Sequence, residues 1–366
     1  MTGRALALAF ALGAFSACAP NRGAAYERSL AEARAAHHNG RFDAAARKFE
    51  EAAKAGKLPR DAVYARYEAA LTWARAGDVA RAASELRAIA TTKPANAYSA
   101  QAAFKAAELA RANDQAAGLR ELEGVVVEFP ESGVAQVSLA HLLQHDDEAG
   151  PEAGLAHLEA LAPRVKGTKV EEKLFYERAR RLDALGRTEA ARDAYLEIAK
   201  RWTYPFGSFN DDALFRAAEM EEKLGRPQEA LAHLERLLSQ REVSSFVGSY
   251  ERPRYLPAIL RIAQIYEKTG ERAKARAALH RLYADFTTST VRDDALWREA
   301  ALWRKDGDTA TACERLSTLA GEFPDSRYVP CAALQCPSIQ RPSRSKAPTS
   351  CHAYLLREDP ASPPAD

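Results

Sequence analysis

One spacing rule recurs along this chain and restricts its fold more than any other feature. Gly40, Gly77, Gly186, Gly225, Gly270 and Gly307 each separate two amphipathic stretches. Seven residues before each stands an alanine: Ala33, Ala70, Ala179, Ala218, Ala263 and Ala300. Five residues after each stands another: Ala45, Ala82, Ala191, Ala230, Ala275 and Ala312. Nine residues after each stands a large apolar residue: Phe49, Leu86, Tyr195, Leu234, Leu279 and Leu316. Two antiparallel helices approach closely only where side chains are small, so paired alanines predict the crossing point. The glycine supplies the left-handed conformation that ends the first helix and turns the chain. The large residue, one turn past its alanine, fills the space between hairpins.

Composition agrees with close-packed helices. Among 366 residues there are only 19 Gly and 18 Pro, and alanine is abundant, which disfavours an all-β chain. The apolar share of 47% and charged share of 28% exclude a disordered chain. Lys and Arg number 52 against 50 Asp and Glu, a net charge of +2. That balance argues against nucleic acid as a partner, because counterion release needs a basic face.

The small–Gly–small–aromatic pattern resembles the tetratricopeptide repeat. The resemblance implies an all-α fold, a right-handed α-solenoid of about eight helix pairs with a short cap and a Pro-rich tail. The pairs are expected at 24–56, 58–93, 95–129, 131–164, 168–203, 208–241, 254–286 and 290–323, with a cap near 326–335. Phe129-Pro130-Glu131-Ser132 and Phe323-Pro324-Asp325-Ser326 punctuate repeats, and Lys93-Pro94 and Tyr204-Pro205 do similar work. Proline stops a second helix, and serine is expected to cap the next first helix. This punctuation is similar to that of bacterial envelope lipoproteins, including the helical one of the outer-membrane barrel-assembly machine. The third repeat is degenerate, with Gly118 in place of an alanine beyond Asn113-Asp114. The fourth has Asp146-Asp147-Glu148 and no clear glycine turn. Residues 242–253 form the longest insert.

The first residues read as an address. Arg4 precedes an apolar run, Ala5 to Phe15, too short to span a bilayer. Phe15-Ser16-Ala17-Cys18 resembles a bacterial lipobox, with Phe15 where that family has leucine. The resemblance implies acylation of Cys18 and, with Ala19 following, the outer membrane. Expected segments are a signal peptide 1–17, an anchor linker 18–23, the repeat array 24–336 and a tail 337–366. The other reading is an ordinary secretory signal with Cys18 incidental.

Four cysteines remain: Cys313, Cys331, Cys336 and Cys351. An even number behind an export signal suggests two disulfides. The favoured pairing is Cys336–Cys351 and Cys313–Cys331. Their spacing is poor for a zinc site.

No catalytic constellation stands out, and no cofactor is expected. His141 and His145 share a helix face but lack the glutamate of a zinc protease and a third ligand. The pairs Glu221-Glu222 and Asp293-Asp294 read as a solvated face. Trp73, Leu182, Tyr266 and Trp303 share a position four before the repeat glycine, which marks a core site. Trp202, Tyr204, Phe206 and Phe209 cluster at one boundary, and Phe246, Tyr250, Tyr255, Arg252 and Arg254 surround the long insert. These residues either pack between long helices or contact a protein partner. The expected function is a non-catalytic, lipid-anchored scaffold on the periplasmic face of a bacterial outer membrane. It would hold envelope proteins or peptides in the concave groove of the first helices. An assembly factor of the barrel-assembly type, or an accessory protein or enzyme acting on peptidoglycan, are the alternatives.

Overall fold

The six glycines adopt the conformation their spacing requires. Each has a positive φ, between 69° at Gly186 and 93° at Gly77. At each, the residue after the glycine donates its N–H to the carbonyl five residues back, as in Asp78 to Trp73 at 3.0 Å and Glu271 to Tyr266 at 2.8 Å. That bond closes the last turn of the first helix on itself. All twelve alanines of the register are fully buried, at 0% exposure. A helix crossing with no room for solvent has none for a larger side chain.

The structure, a computed structural model, describes residues 21–244, 248–249 and 252–340. The chain divides into two units, residues 1–174 and 175–366. The first contains α1 (Ala24–His38), α2 (Phe42–Ala55), α3 (Pro59–Ala76), α4 (Val79–Thr91), α5 (Ser99–Asn113), α6 (Gln115–Glu128), α7 (Gly133–Asp147) and α8 (Pro151–Leu161). A 3₁₀ turn, Ala162–Arg164, follows, then the start of α9 (Lys169–Ala184). The rest of α9 opens the second unit. It continues with α10 (Thr188–Arg201), α11 (Asn210–Lys223), α12 (Pro227–Ser239), α13 (Tyr255–Lys268), α14 (Arg272–Asp285), α15 (Arg292–Lys305), α16 (Thr309–Glu322) and α17 (Val329–Gln335). These are the expected helix pairs, with α17 as the short cap. Among the described residues, no helix is long and apolar enough to cross a membrane.

In the first unit, Tyr26, Leu30, Phe49 and Ala65 form a core across α1, α2 and α3. Leu86, Ile89, Ala102 and Ala106 continue it across α4 and α5. In the second unit, Trp297, Leu316 and Leu319 form the last core under the cap. Tyr328 stacks on Trp297 at 4.9 Å and 12° to close it.

Several local expectations are corrected. The third repeat is tighter than the others. Its helices are joined by Asp114 alone, which is extended and caps α6 through the Ala117 N–H at 3.0 Å. With no glycine turn to separate them, α5 and α6 start in contact, and Gly118 faces the Arg111 backbone. A Cβ there would lie 2.3 Å from Arg111 Cα. The fourth repeat does have a glycine turn: Gly150, at φ 106°, precedes Pro151 at the start of α8. The insert contains two short antiparallel strands, β1 (Val243–Ser244) and β2 (Gly248–Ser249). Ser132 caps α7 as expected, accepting from the Ala135 N–H at 3.3 Å. Ser326 does not cap α17; it accepts from the Tyr328 N–H at 3.3 Å and donates to Asp293 at 2.6 Å.

The disulfide pairing also differs. Cys313 is bonded to Cys336. Cys331 is disulfide-bonded too, with a partner outside the described residues. The reason is geometric. Cys331 lies in the first turn of α17. Cys336 follows the last turn, and α17 reaches back far enough to meet Cys313 near the start of α16. Cys18, Cys351 and the tail beyond residue 340 lie outside the described residues.

Two glycines of α6 separate crossing from propensity. Gly118→Ala should destabilise the protein by about 1–3 kcal/mol through overpacking. Gly124, whose added Cβ would meet nothing within 4 Å, should become about 0.5–1 kcal/mol more stable as alanine. Chemical denaturation of the two variants reads the opposite signs; shifts of the same sign would refute the crossing.

Candidate interaction face

Within each unit the first helices of successive hairpins are neighbours, and their polar contacts differ between the two units. In the second unit they are joined by ion pairs. Asp183 of α9 pairs with Lys223 of α11. Glu219 and Glu222 of α11 take Arg261 of α13, Glu219 at 2.7 Å. Glu267 of α13 takes Arg298 of α15 at 3.2 Å. Asp294 of α15 takes Arg327 at 2.7 Å and the Tyr328 hydroxyl. Each of these carboxylates lies against at least one cation of the chain, with Arg216 and Lys268 adding to Arg261 at Glu219 and Glu222.

The first unit is built differently. On α3, Tyr64, Tyr67, Glu68 and Leu71 fall at helical spacing on one face. Arg34 of α1 donates to the Tyr64 hydroxyl at 3.2 Å. Tyr98, at the start of α5, lies 5.9 Å from the Tyr64 ring and 5.1 Å from the Tyr67 ring, tilted 46° and 31°. The three tyrosines are half-buried and roof the cores beneath them. Glu68 is half-buried among them with no cation at ion-pair distance among the described residues. Burial pushes its carboxyl above the usual range, and Arg34, His37 and Arg75 pull it back more weakly. Burial also raises the Tyr67 and Tyr98 phenols, with the Glu68 charge adding to the effect. By contrast Asp61, on the same helix, is held low by its bond to Arg22 at 2.6 Å.

The residues singled out from the sequence are dispersed. Trp202 packs edge-on against Phe175 at 5.4 Å, with Arg201 over both rings. Phe209 stacks on Tyr176 at 4.5 Å. Tyr204 donates to Glu242, and Arg252 lies 5.3 Å from its ring. Arg252 and Arg254 pair with Asp211 and Asp212. Among the described members of the group only Phe206 projects, at 92% exposure. Its loop is tight: a Cβ on Gly207 would lie 2.1 Å from the Trp202 carbonyl oxygen, and Asn210 donates to the Ala199 and Trp202 carbonyls at 3.0 and 2.9 Å. Phe246 and Tyr250 lie outside the described residues.

The other sequence readings have different outcomes. His141 meets the Phe104 ring and His145 meets Gln115, so they do not converge. Among the described residues no group of His, Cys, Asp and Glu could hold a metal ion. Glu221 is not solvated but buried, near Arg192, Arg226 and His233. Asp293 and Asp294 bond to the segment before the cap. Trp73 and Leu182 are core residues, but Tyr266 and Trp303 are half-buried beneath cations, with Arg276 3.8 Å from the Trp303 centroid. Sequence reasoning missed Tyr64, Tyr67, Glu68 and Tyr98. The available signal was an aromatic pair and a carboxylate sharing a first-helix face outside the packing register.

Models of the tetratricopeptide repeat match residues 30–97 and 176–244, and residues 257–289 and 294–326, together more than half of the chain. Among solved structures, the C-terminal part of a TPR repeat-containing protein from Cytophaga hutchinsonii is similar, at 12% identity over 73% of this chain and 98% of that one, with a TM-score of 0.42. BtubC from P. vanneervenii is 12% identical over 68% of this chain and 94% of that one, with a TM-score of 0.41. Pseudomonas aeruginosa pilF is 18% identical over 62% of this chain and 93% of that one, with a TM-score of 0.37. No curated protein matches the chain.

The unpaired charge has a stability signature. Glu68 holds its proton more tightly folded than unfolded, so its ionisation opposes folding above the ordinary carboxylate pKa. Below that pKa both states are protonated and the penalty disappears. Glu68→Gln should therefore stabilise the protein at pH 7. The gain should vanish near pH 3. A loss of stability at pH 7 in denaturant titrations would show that Glu68 has a partner.

Proposed function

We propose that this chain, which belongs to the tetratricopeptide-repeat family, is a non-catalytic scaffold anchored by lipid to the periplasmic face of a bacterial outer membrane. The repeats make it a protein–protein interaction scaffold. Its partners are envelope proteins, bound as extended strands or helices along the first helices of successive hairpins. Candidate processes are outer-membrane protein assembly, peptidoglycan–envelope coordination and assembly of secretion or surface machinery. The scaffold reading is carried by the row of first helices, which presents polar and aromatic side chains in register from one hairpin to the next.

The anchoring reading is carried by Phe15-Ser16-Ala17-Cys18 behind the apolar run Ala5–Phe15. Acyl chains on Cys18 would each bury many methylenes at about 0.8 kcal/mol apiece, so several hold a protein at a membrane durably. The Cys313–Cys336 disulfide supports an exported protein, since such bonds persist in oxidising compartments. Exposed Phe206, on its pinned loop, is a further contact candidate. Phe246 and Tyr250 of the insert belong to the same proposal.

Cys18→Ser tests the anchor. The variant should move from the membrane pellet to the soluble fraction of the cell, as read by fractionation and immunoblot. Retention in the membrane with an unmodified residue 18 would remove the lipid from the account and leave the scaffold reading standing.

A further inference from the structure

Three tyrosines that roof the cores of the first unit surround a carboxylate that packing does not explain. We infer that the face formed by Tyr64, Tyr67, Glu68 and Tyr98 receives a lysine or arginine side chain of a partner polypeptide. This rests on the scaffold reading above and specifies the chemistry of one contact within it.

The charge distribution selects a cation. Glu68 has no counter-ion at contact distance among the described residues. The cations that influence it, Arg34, His37 and Arg75, lie on its α1 side and are engaged with one another or with Tyr64: Arg34 with the Tyr64 hydroxyl, Arg75 with the His37 ring at 2.9 Å. Toward α5 the nearby charges are negative. Tyr67 senses Glu68 and Glu108, and Tyr98 senses Glu68 and Asp61. Glu108 and Asp61 are already paired, with Lys105 and Arg22. Glu68 alone is left to attract a charge from outside.

The rings add to that attraction. Neither tyrosine pair is stacked flat. A cation near an aromatic face gains about 0.5–2 kcal/mol, more when water is excluded. The Tyr67 and Tyr98 hydroxyls bond to no other group among the described residues. Packing alone would be served as well by three rings without a carboxylate. The second unit provides the contrast, because the carboxylates that join its first helices have cations from within the chain. A polypeptide is the source because hairpins of this family bind proteins, and a neighbouring side chain is delivered with its backbone along the same row of helices.

The full-length protein should be titrated with acetylated, amidated tetra-arginine, tetra-citrulline and tetra-glutamate peptides carrying a fluorescent label, at low salt. Tetra-arginine should bind, and tetra-citrulline should not. Glu68→Gln and Tyr98→Ala should each weaken tetra-arginine binding about tenfold. Glu159→Gln, which alters an exposed carboxylate of the same unit, should leave it unchanged. Melting curves of Glu68→Gln at or above the wild-type midpoint would exclude unfolding as the cause of weaker binding. Equal tetra-arginine affinity in Glu68→Gln, or tighter binding of tetra-glutamate, would overturn the inference. Crosslinking in intact cells separates the two readings. Partners captured equally by wild type and Glu68→Gln would leave the scaffold standing and refute this contact, whereas an absence of partners on wild type would refute the scaffold itself.

Discussion

The architecture depends on small side chains where paired helices cross. Twelve alanines with no solvent exposure, in two ranks around six left-handed glycines, determine how near each hairpin closes. The hydrophobic gain from an alanine is small, so these residues matter mainly by what they exclude. They let two backbones approach until the large residues nine positions past each glycine interlock with the next hairpin. Gly118 is the limiting case. Where the turn shrinks to Asp114 alone, alanine itself becomes too large.

Within each unit such hairpins expose their first helices in a row, and the two units use that row differently. In the second unit, carboxylates and guanidinium groups of successive first helices neutralise each other. Ion pairs at partly exposed positions contribute little stability each, but they fix register and neutralise the carboxylates they hold. In the first unit, the corresponding row carries tyrosines and Glu68. A desolvated charge without a counter-ion lowers stability, and such features cluster where function requires them.

How much of this was legible in the sequence follows from the range of each interaction. The hairpins were legible because their determinants sit within a span of 17 residues, from Ala33 to Phe49 in the first repeat. The corrections fall where a residue's environment is set by another hairpin. Glu221 reads as solvated because its own helix is polar, yet Arg192 and Arg226 come from neighbouring segments. The pairing of Cys313 with Cys336 depends on how far α17 folds back, which spacing alone does not state. Gly150 was overlooked because its turn lies outside the common register. Glu68 was missed for a related reason: what distinguishes it is that no cation of α1, α3 or α5 comes within ion-pair distance of it among the described residues, a property of three helices together.

The central claim is that bulk is forbidden at the crossing positions and tolerated beside them. Ala230 and Ala232 lie on the same helix, α12, the first fully buried and the second exposed. Replacing each with leucine leaves helix propensity matched, so the difference in thermal unfolding isolates the crossing. Ala230→Leu should lose about 1–3 kcal/mol and melt clearly earlier, while Ala232→Leu should match wild type. Coincident melting curves for the two variants would contradict the account.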